Sequence, residues 1–393
     1  MRRRVLLTIA IAIVLAARSA SAEPYRLRAD GFARSDAPQS PVGLVMLQGE
    51  DRAHPWVDAE ALVWMGASEV QQGPADALVM LVRLHDPKNR VELRLGRQIV
   101  TAGATRPIHL DGADARARLP TGTTFEAFGG VPVVPAFAWA PYDWAGGGRL
   151  GQAIGPETTT GISYLQRRDT GRVAYEEAGF DFASSPARSL DLGVRGAYDL
   201  VDPGLAEATA SIGTRVGPLR PDLYATHRSP SRLLPATSLF AALGDIASDV
   251  LGFAVAWRAA PRLDVVPTVA VRRADDDVGA DLTLRTTLRL DDNGAGALLL
   301  ELRRQGSSDR WTGVRAGARV PLNLAFTASC ELEVVAADSP RGRGSAWPWA
   351  LAALGWHGVE RWEVAGAVEA SSTPRDAAAL NAIVRVTRTW GGR

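Results

Sequence analysis

Residues 281–291 alternate with a period of two. Leu282, Leu284, Leu288 and Leu290 fall on one face, and Asp281, Thr283, Arg285, Thr287, Arg289 and Asp291 on the other. Side chains of a β-strand alternate sides, so this stretch is a strand with one apolar and one charged face. The pattern returns clearly at 190–200, 205–216, 311–320, 322–334 and 361–370. It is less regular at 77–85, 90–100, 112–119, 125–134, 159–166, 172–182, 250–257, 262–272, 296–304 and 379–390. Residues 25–33 and 42–47 add two further candidates. In 172–182 the rhythm falters, with charge at both Glu176 and Glu177. A chain in which this pattern runs from end to end is all-β.

The N-terminus has a different character. Met1-Arg2-Arg3-Arg4 is basic, residues 5–17 are apolar apart from Thr8, and Ala20-Ser21-Ala22 supplies small residues. This is the layout of a secretory signal peptide over residues 1–22, cleaved after Ala22. No cysteine lies near that point, which argues against a lipid anchor. After residue 22 the chain has no second long apolar run; residues 346–356 are apolar but too short to cross a bilayer as a helix. An exported chain of this kind enters a membrane only by strands. Strands in lipid must close into a barrel, because every backbone polar group needs an internal partner.

Three features favour a membrane barrel over a soluble sandwich. The apolar faces use many small residues, such as Ala206, Ala208, Ala210, Ala316 and Ala318, where a packed core would need bulk. The polar faces carry both signs of charge, as a water-filled lumen permits. Eleven tryptophans are present, and Trp257, Trp311, Trp362 and Trp390 lie near strand ends, where membrane-interface aromatics sit. Trp64, Trp347, Trp349 and Trp356 are further candidates for the same girdle, whereas Trp144 reads as part of a loop. The expected fold is a transmembrane antiparallel β-barrel of about 16 to 18 strands. Residues 23–393 form its single domain. Compact turns at 86–89 and 291–294 contrast with polar loops at 275–277 and 337–345, which suits short turns on one rim and longer loops on the other. Residues 229–248 break the rhythm: Pro230 and Pro235 forbid a central strand, and Thr237 or Ser238 could cap a short helix. That insertion either packs on a rim or folds into the lumen.

The remaining chemistry is sparse. Forty-four basic residues against 43 acidic ones leave a net charge of +1, without the excess expected of a nucleic-acid binder. Lys88 is the only lysine. Cys330 is the only cysteine and reads as a small apolar contact, and the five histidines lack ligand spacing, so neither a metal site nor a cofactor is expected. There is no phosphate-binding glycine loop, nucleophile elbow or His-Glu-x-x-His motif, so an enzyme is not expected. An outer-membrane hydrolase assembled from several strands is the least favoured alternative.

The run Leu93-Arg94-Leu95-Gly96-Arg97-Gln98, followed by Asp111-Gly112 and Arg116-Ala117-Arg118-Leu119-Pro120, together with the leader and the alternating strands, resembles Gram-negative outer-membrane porin-like barrels. The resemblance implies an outer-membrane location, contact with lipid and with the barrel assembly machinery, and passage of small hydrophilic solutes or service as the conduit of an export system. A non-conducting scaffold or a barrel filled by a partner is the alternative. Such barrels usually end in an aromatic residue that the assembly machinery reads; here Trp390 is followed by Gly391-Gly392-Arg393. Arg94, Arg97, Asp111, Arg116, Arg118, Arg285 and Arg289 are the candidate pore-lining residues.

Overall fold

The computed structural model describes residues 25–36, 39–67, 75–133, 143–229, 247–274, 277–306, 310–339, 344–358, 361–373 and 378–391. The leader and most of the 229–248 insertion, with its expected helix, lie outside these residues. The strands of the first half are β1 (Tyr25–Asp36), β2 (Gln39–His54), β3 (Val57–Ala67), β4 (Ala75–His85), β5 (Val91–Val100), β6 (Ile108–Arg118), β7 (Thr123–Pro132), β8 (Trp144–Ile154), β9 (Thr158–Asp169), β10 (Arg172–Ala187) and β11 (Leu190–Asp199). Those of the second half are β12 (Gly204–Thr214), β13 (Leu219–Arg228), β14 (Ser248–Ala260), β15 (Leu263–Ala274), β16 (Asp277–Arg289), β17 (Ala297–Gln305), β18 (Trp311–Pro321), β19 (Phe326–Ala337), β20 (Ala346–His357), β21 (Trp362–Ser371) and β22 (Ala379–Gly391).

Each strand pairs antiparallel with its neighbours in sequence, and β22 returns to β1 over Arg26↔Gly391 to Asp36↔Asn381. The sheet therefore closes without an edge. It has 22 strands, more than the expected 16 to 18. The four additional strands are those whose sequence hides the alternation. β3 and β20 carry apolar residues on both faces, β8 is a run of glycine and small residues, and β13 contains Pro221.

The apolar faces point outward. Leu282, Leu284, Leu298, Leu300 and Leu302 are 39–50 % exposed, and comparable residues recur around the barrel. Cys330 lies on this outer face and is exposed. The connections sort into two rims. Those on the rim where β1 begins and β22 ends are short, for example 55–56, 119–122, 188–189 and 261–262, and they include the compact turns at 86–90 and 290–296. The opposite rim holds the longer ones, 133–143, 229–247 and 338–345 among them.

Both compact turns are built on an aspartate. The Asp86 carboxylate accepts the backbone N–H of Val91 at 3.0 Å, and Asp291 accepts those of Gly296 at 2.6 Å and Ala295 at 3.0 Å. These donors hold both carboxyls below the usual carboxylate range. A depressed carboxyl stabilises the fold above its unfolded pKa, and loses that effect as pH falls through its folded value. Amide-exchange protection of Gly296 should therefore survive at about pH 5 and disappear only below about pH 4, the ordinary aspartate value. Asp291→Ala, which removes the acceptor, should lose it even at neutral pH.

The alternation also sets the cost of a misplaced charge. Leu300→Arg, on the outer face of β17, should lower unfolding stability in a bilayer by about 2–4 kcal/mol, while Leu299→Arg, one residue along and facing the lumen, should cost far less. Urea titration of the folded, heat-modifiable gel band would check this; equal costs would contradict the inside–outside assignment.

Candidate functional site

The inner face carries charge in cross-strand rows. Antiparallel register places Glu92, Arg116, Glu126 and Arg149 in one row across β5–β8, and Asp58, Arg83, Arg94 and Asp114 in the next across β3–β6. Arg94 is paired with Glu92 and lies 3.8 Å from Asp114, and Arg116 is 3.0 Å from Glu126. Arg149 donates to Asp181 through Nε at 3.0 Å. Further round the wall, Arg285 donates to Glu301 at 2.8 Å, Arg289 to Asp264 at 2.7 Å and Arg272 to Asp281 at 2.7 Å. Opposite charges on facing positions stabilise the pairing of their strands. Because the arginines are partly hydrated, most such pairs contribute at the low end, up to about 1 kcal/mol each.

One connection folds inward. Residues 101–107 leave β5 on the opposite rim and lie against the inner wall of β8–β10. Ala102, Ala104 and Thr105 are fully buried. The Ala104 N–H donates to Ser163 Oγ at 3.3 Å. Arg106 donates to Glu177 twice, from its backbone N–H at 3.0 Å and from Nε at 2.6 Å. Its guanidinium also sits 4.3 Å from the centre of the Tyr175 ring, a cation–π contact. Glu177 is completely buried, so the pair is a fastening rather than a surface contact.

Beneath the loop, Val100, Ile108, Leu110, Phe128, Ala145 and Leu165 form an apolar cluster on the inner face. Two glycines allow the close approach. Gly103 has φ +56°, and a Cβ there would lie 2.6 Å from Asp181 Oδ1; a Cβ at Gly147 would lie 2.8 Å from Phe128 Cζ.

The candidate pore residues divide. Arg94, Arg116, Arg285 and Arg289 stand on the inner face, and Arg118 ends β6 on the same side. Arg97 and Asp111 instead pair with each other on the outer face, in the row of the exposed Met80 and Val131. Arg97 donates to Asp111 at 2.7 Å and to Asp76 at 2.6 Å, so this charge is neutralised locally near the opposite rim. The motif around Gly96 places arginines on both parities, and only the register tells them apart.

The aromatic candidates divide as well. Trp257, Trp362 and Trp390 face outward at the terminal rim, where Arg388 stacks on both Trp362 and Trp390. Trp356 lies on the same outer face, and Trp144 opens β8 on the outer face at the other rim. Trp311 faces the lumen and donates Nε1–H to Gln305 at 3.0 Å, and Trp349 faces the lumen and donates to Glu369 at 2.8 Å. Among the described residues, no group of three or more histidine, cysteine, aspartate or glutamate side chains could hold a metal ion.

The infolded loop was not legible in the sequence, but its anchor left a trace. The adjacent charges at Glu176 and Glu177 that disturb the alternation of β10 are divided by the wall. Glu176 accepts from the outward Tyr164 hydroxyl, and Glu177 takes Arg106 inside.

The architecture has close counterparts among solved structures. The siderophore receptor PirA of Pseudomonas aeruginosa matches with a TM-score of 0.60 at 9 % identity, over 95 % of this chain and 81 % of that one. The ferric enterobactin receptor PfeA mutant of the same organism matches with a TM-score of 0.59 at 8 % identity, over 95 % and 81 %. The translocation pore of the P pilus usher PapC matches with a TM-score of 0.54 at 10 % identity, over 94 % and 100 %. The chain has the fold of an outer-membrane β-barrel. No family model matches it, and no curated protein matches it in sequence.

If Glu177 fastens the loop, Glu177→Gln or Arg106→Ala should release residues 101–107 without unfolding the barrel. Hydrogen exchange at 102–106 should rise at least about tenfold while β16 and β17 stay protected. Unchanged exchange at the loop would show that the apolar cluster alone holds it.

Proposed function

We propose that the chain is an outer-membrane channel, exported by its N-terminal signal peptide and folded as a single barrel domain, through which small hydrophilic solutes diffuse. The observation that carries this reading is the charged inner face of a wide barrel. With strands about 4.8 Å apart and tilted by about 40°, 22 of them enclose a ring about 40 Å across between backbones. The longest connection between strands, 229–247, is far too small to fill such a ring, and the other connections are shorter still.

The rows of arginine and carboxylate give the lumen a transverse field, which orders ions by charge as they pass. The loop 101–107 narrows one side, and its ion pair keeps it against the wall. The channel works by diffusion, so no catalytic group is assigned.

A second reading, a barrel occupied by a partner chain, is favoured by the same width. Outer-membrane barrels of this size commonly hold a plug. The two readings differ in the empty barrel's conductance.

Full-length protein refolded in detergent and inserted in planar bilayers should give discrete conductance steps that vanish on heat denaturation. Replacing both Arg94 and Arg116 with glutamine should move the permeability ratio toward cations. A folded, heat-modifiable sample that stays silent would reject the open channel and favour the partner-filled barrel. Unchanged selectivity in the double variant would remove these two residues from the conduction path.

A further inference from the structure

A hollow in the inner wall between β2 and β5 is lined by Glu50, Asp58, Glu60, Arg83, Arg94 and Gln98. Its origin lies in β5. The residues of β5 that face the lumen run Arg94, Gly96, Gln98, and Gly96 contributes no side chain between its two long neighbours. No other residue fits there: Gly96 has φ +125°, and a Cβ would lie 2.2 Å from the Met80 carbonyl oxygen. Gly112, next in the same row on β6, extends the gap.

Two observations point to a ligand in this hollow. The first is the Gln98 amide. The side chain is 2 % exposed, and neither Nε2 nor Oε1 has a hydrogen-bond partner. An amide buried without partners costs about 1–3 kcal/mol, so a group that both accepts and donates is favoured beside it.

The second is charge. Register places Glu50 directly opposite Glu60, and like charges in facing positions destabilise a strand pair. Arg26 faces Glu50 from β1, and the Arg83 guanidinium donates to Asp58 through Nε at 3.0 Å. Arg94 is paired with Glu92 and close to Asp114, and Arg116 is paired with Glu126. Glu60, opposite Glu50, is exposed to the lumen.

We propose that this hollow is a solute subsite for a small monocation rich in hydroxyl groups, of the amino-sugar class. The ammonium group would lie against the exposed Glu60, and hydroxyls would satisfy the Gln98 amide. The proposal rests on the channel reading only in that the solute reaches the wall through the lumen.

Glucosamine is the probe, titrated against full-length refolded protein with saturation-transfer NMR. N-acetylglucosamine, which lacks the charge, and glucuronate, which reverses it, are the controls. Glucosamine should give a saturable signal, and both controls should bind at least about tenfold more weakly. Glu60→Gln should weaken glucosamine at least about fivefold while leaving the heat-modifiable band intact, since the residue is exposed. Gln98→Leu should weaken it independently, and if that variant does not fold, Glu60→Gln decides alone. A signal that does not saturate, equal binding of glucuronate, or unchanged binding in Glu60→Gln would overturn the subsite. Conductance measured on the same sample separates the two claims. A barrel that conducts without saturable binding refutes the subsite alone, and one that binds without conducting refutes the open channel alone.

Discussion

The structure depends on the hydrogen bonding of its backbone. In lipid an unpaired N–H or C=O costs several kcal/mol, and a sheet has no solution to this except closure. The pairing of β1 with β22 over eleven residues meets that demand. Once the sheet is closed, the two-residue alternation has only one physical meaning: one set of side chains faces lipid and the other faces the enclosed space. Leu282, Leu284 and Leu288 are thereby committed outward, and Arg285 and Arg289 inward. Register then decides which inner charges meet, so the pairing of Arg285 with Glu301 follows from the hairpin at 290–296.

The inner wall is more than a neutralised lining. On one side of the barrel it carries the rows of charge. Across β5–β10, near the rim opposite the termini, it carries a small apolar core capped by residues 101–107. Burying Glu177 is tolerable because Arg106 supplies both a backbone and a guanidinium donor; removing either partner would leave a buried charge uncompensated. The glycines of this region serve the same end. Gly103 and Gly147 let the loop and Phe128 approach the wall, and Gly96 opens a hollow beside it.

Much of this was legible in the sequence, for physical reasons that can be named. Strands such as β16 and β11 must separate lipid from water, and their composition records it. The strands without a legible alternation are those where that contrast fails. Trp347, Trp349 and Leu351 put apolar groups on the lumen side of β20, and Gly146, Gly147 and Gly148 give β8 no contrast at all. Arg94 and Arg116 could be placed because their neighbours alternate cleanly. Arg97 and Asp111 could not, since they stand in the otherwise apolar outward row of their strands, with Leu93, Leu95 and Ile99, and the pair forms only across strands. The infolded loop depends on contacts separated by about seventy residues, which no local pattern encodes.

The most direct test of the account is a cysteine scan of β16 in a Cys330→Ala background, read in bilayers. An aqueous, membrane-impermeant thiol reagent should label positions 283, 285 and 287, while a fluorophore placed at 282, 284 or 288 should be quenched by lipid-borne quenchers. Such a period-two reversal is the result expected of a water-filled barrel in a membrane. Equal aqueous labelling at all six positions would contradict it and return the chain to the soluble β proteins.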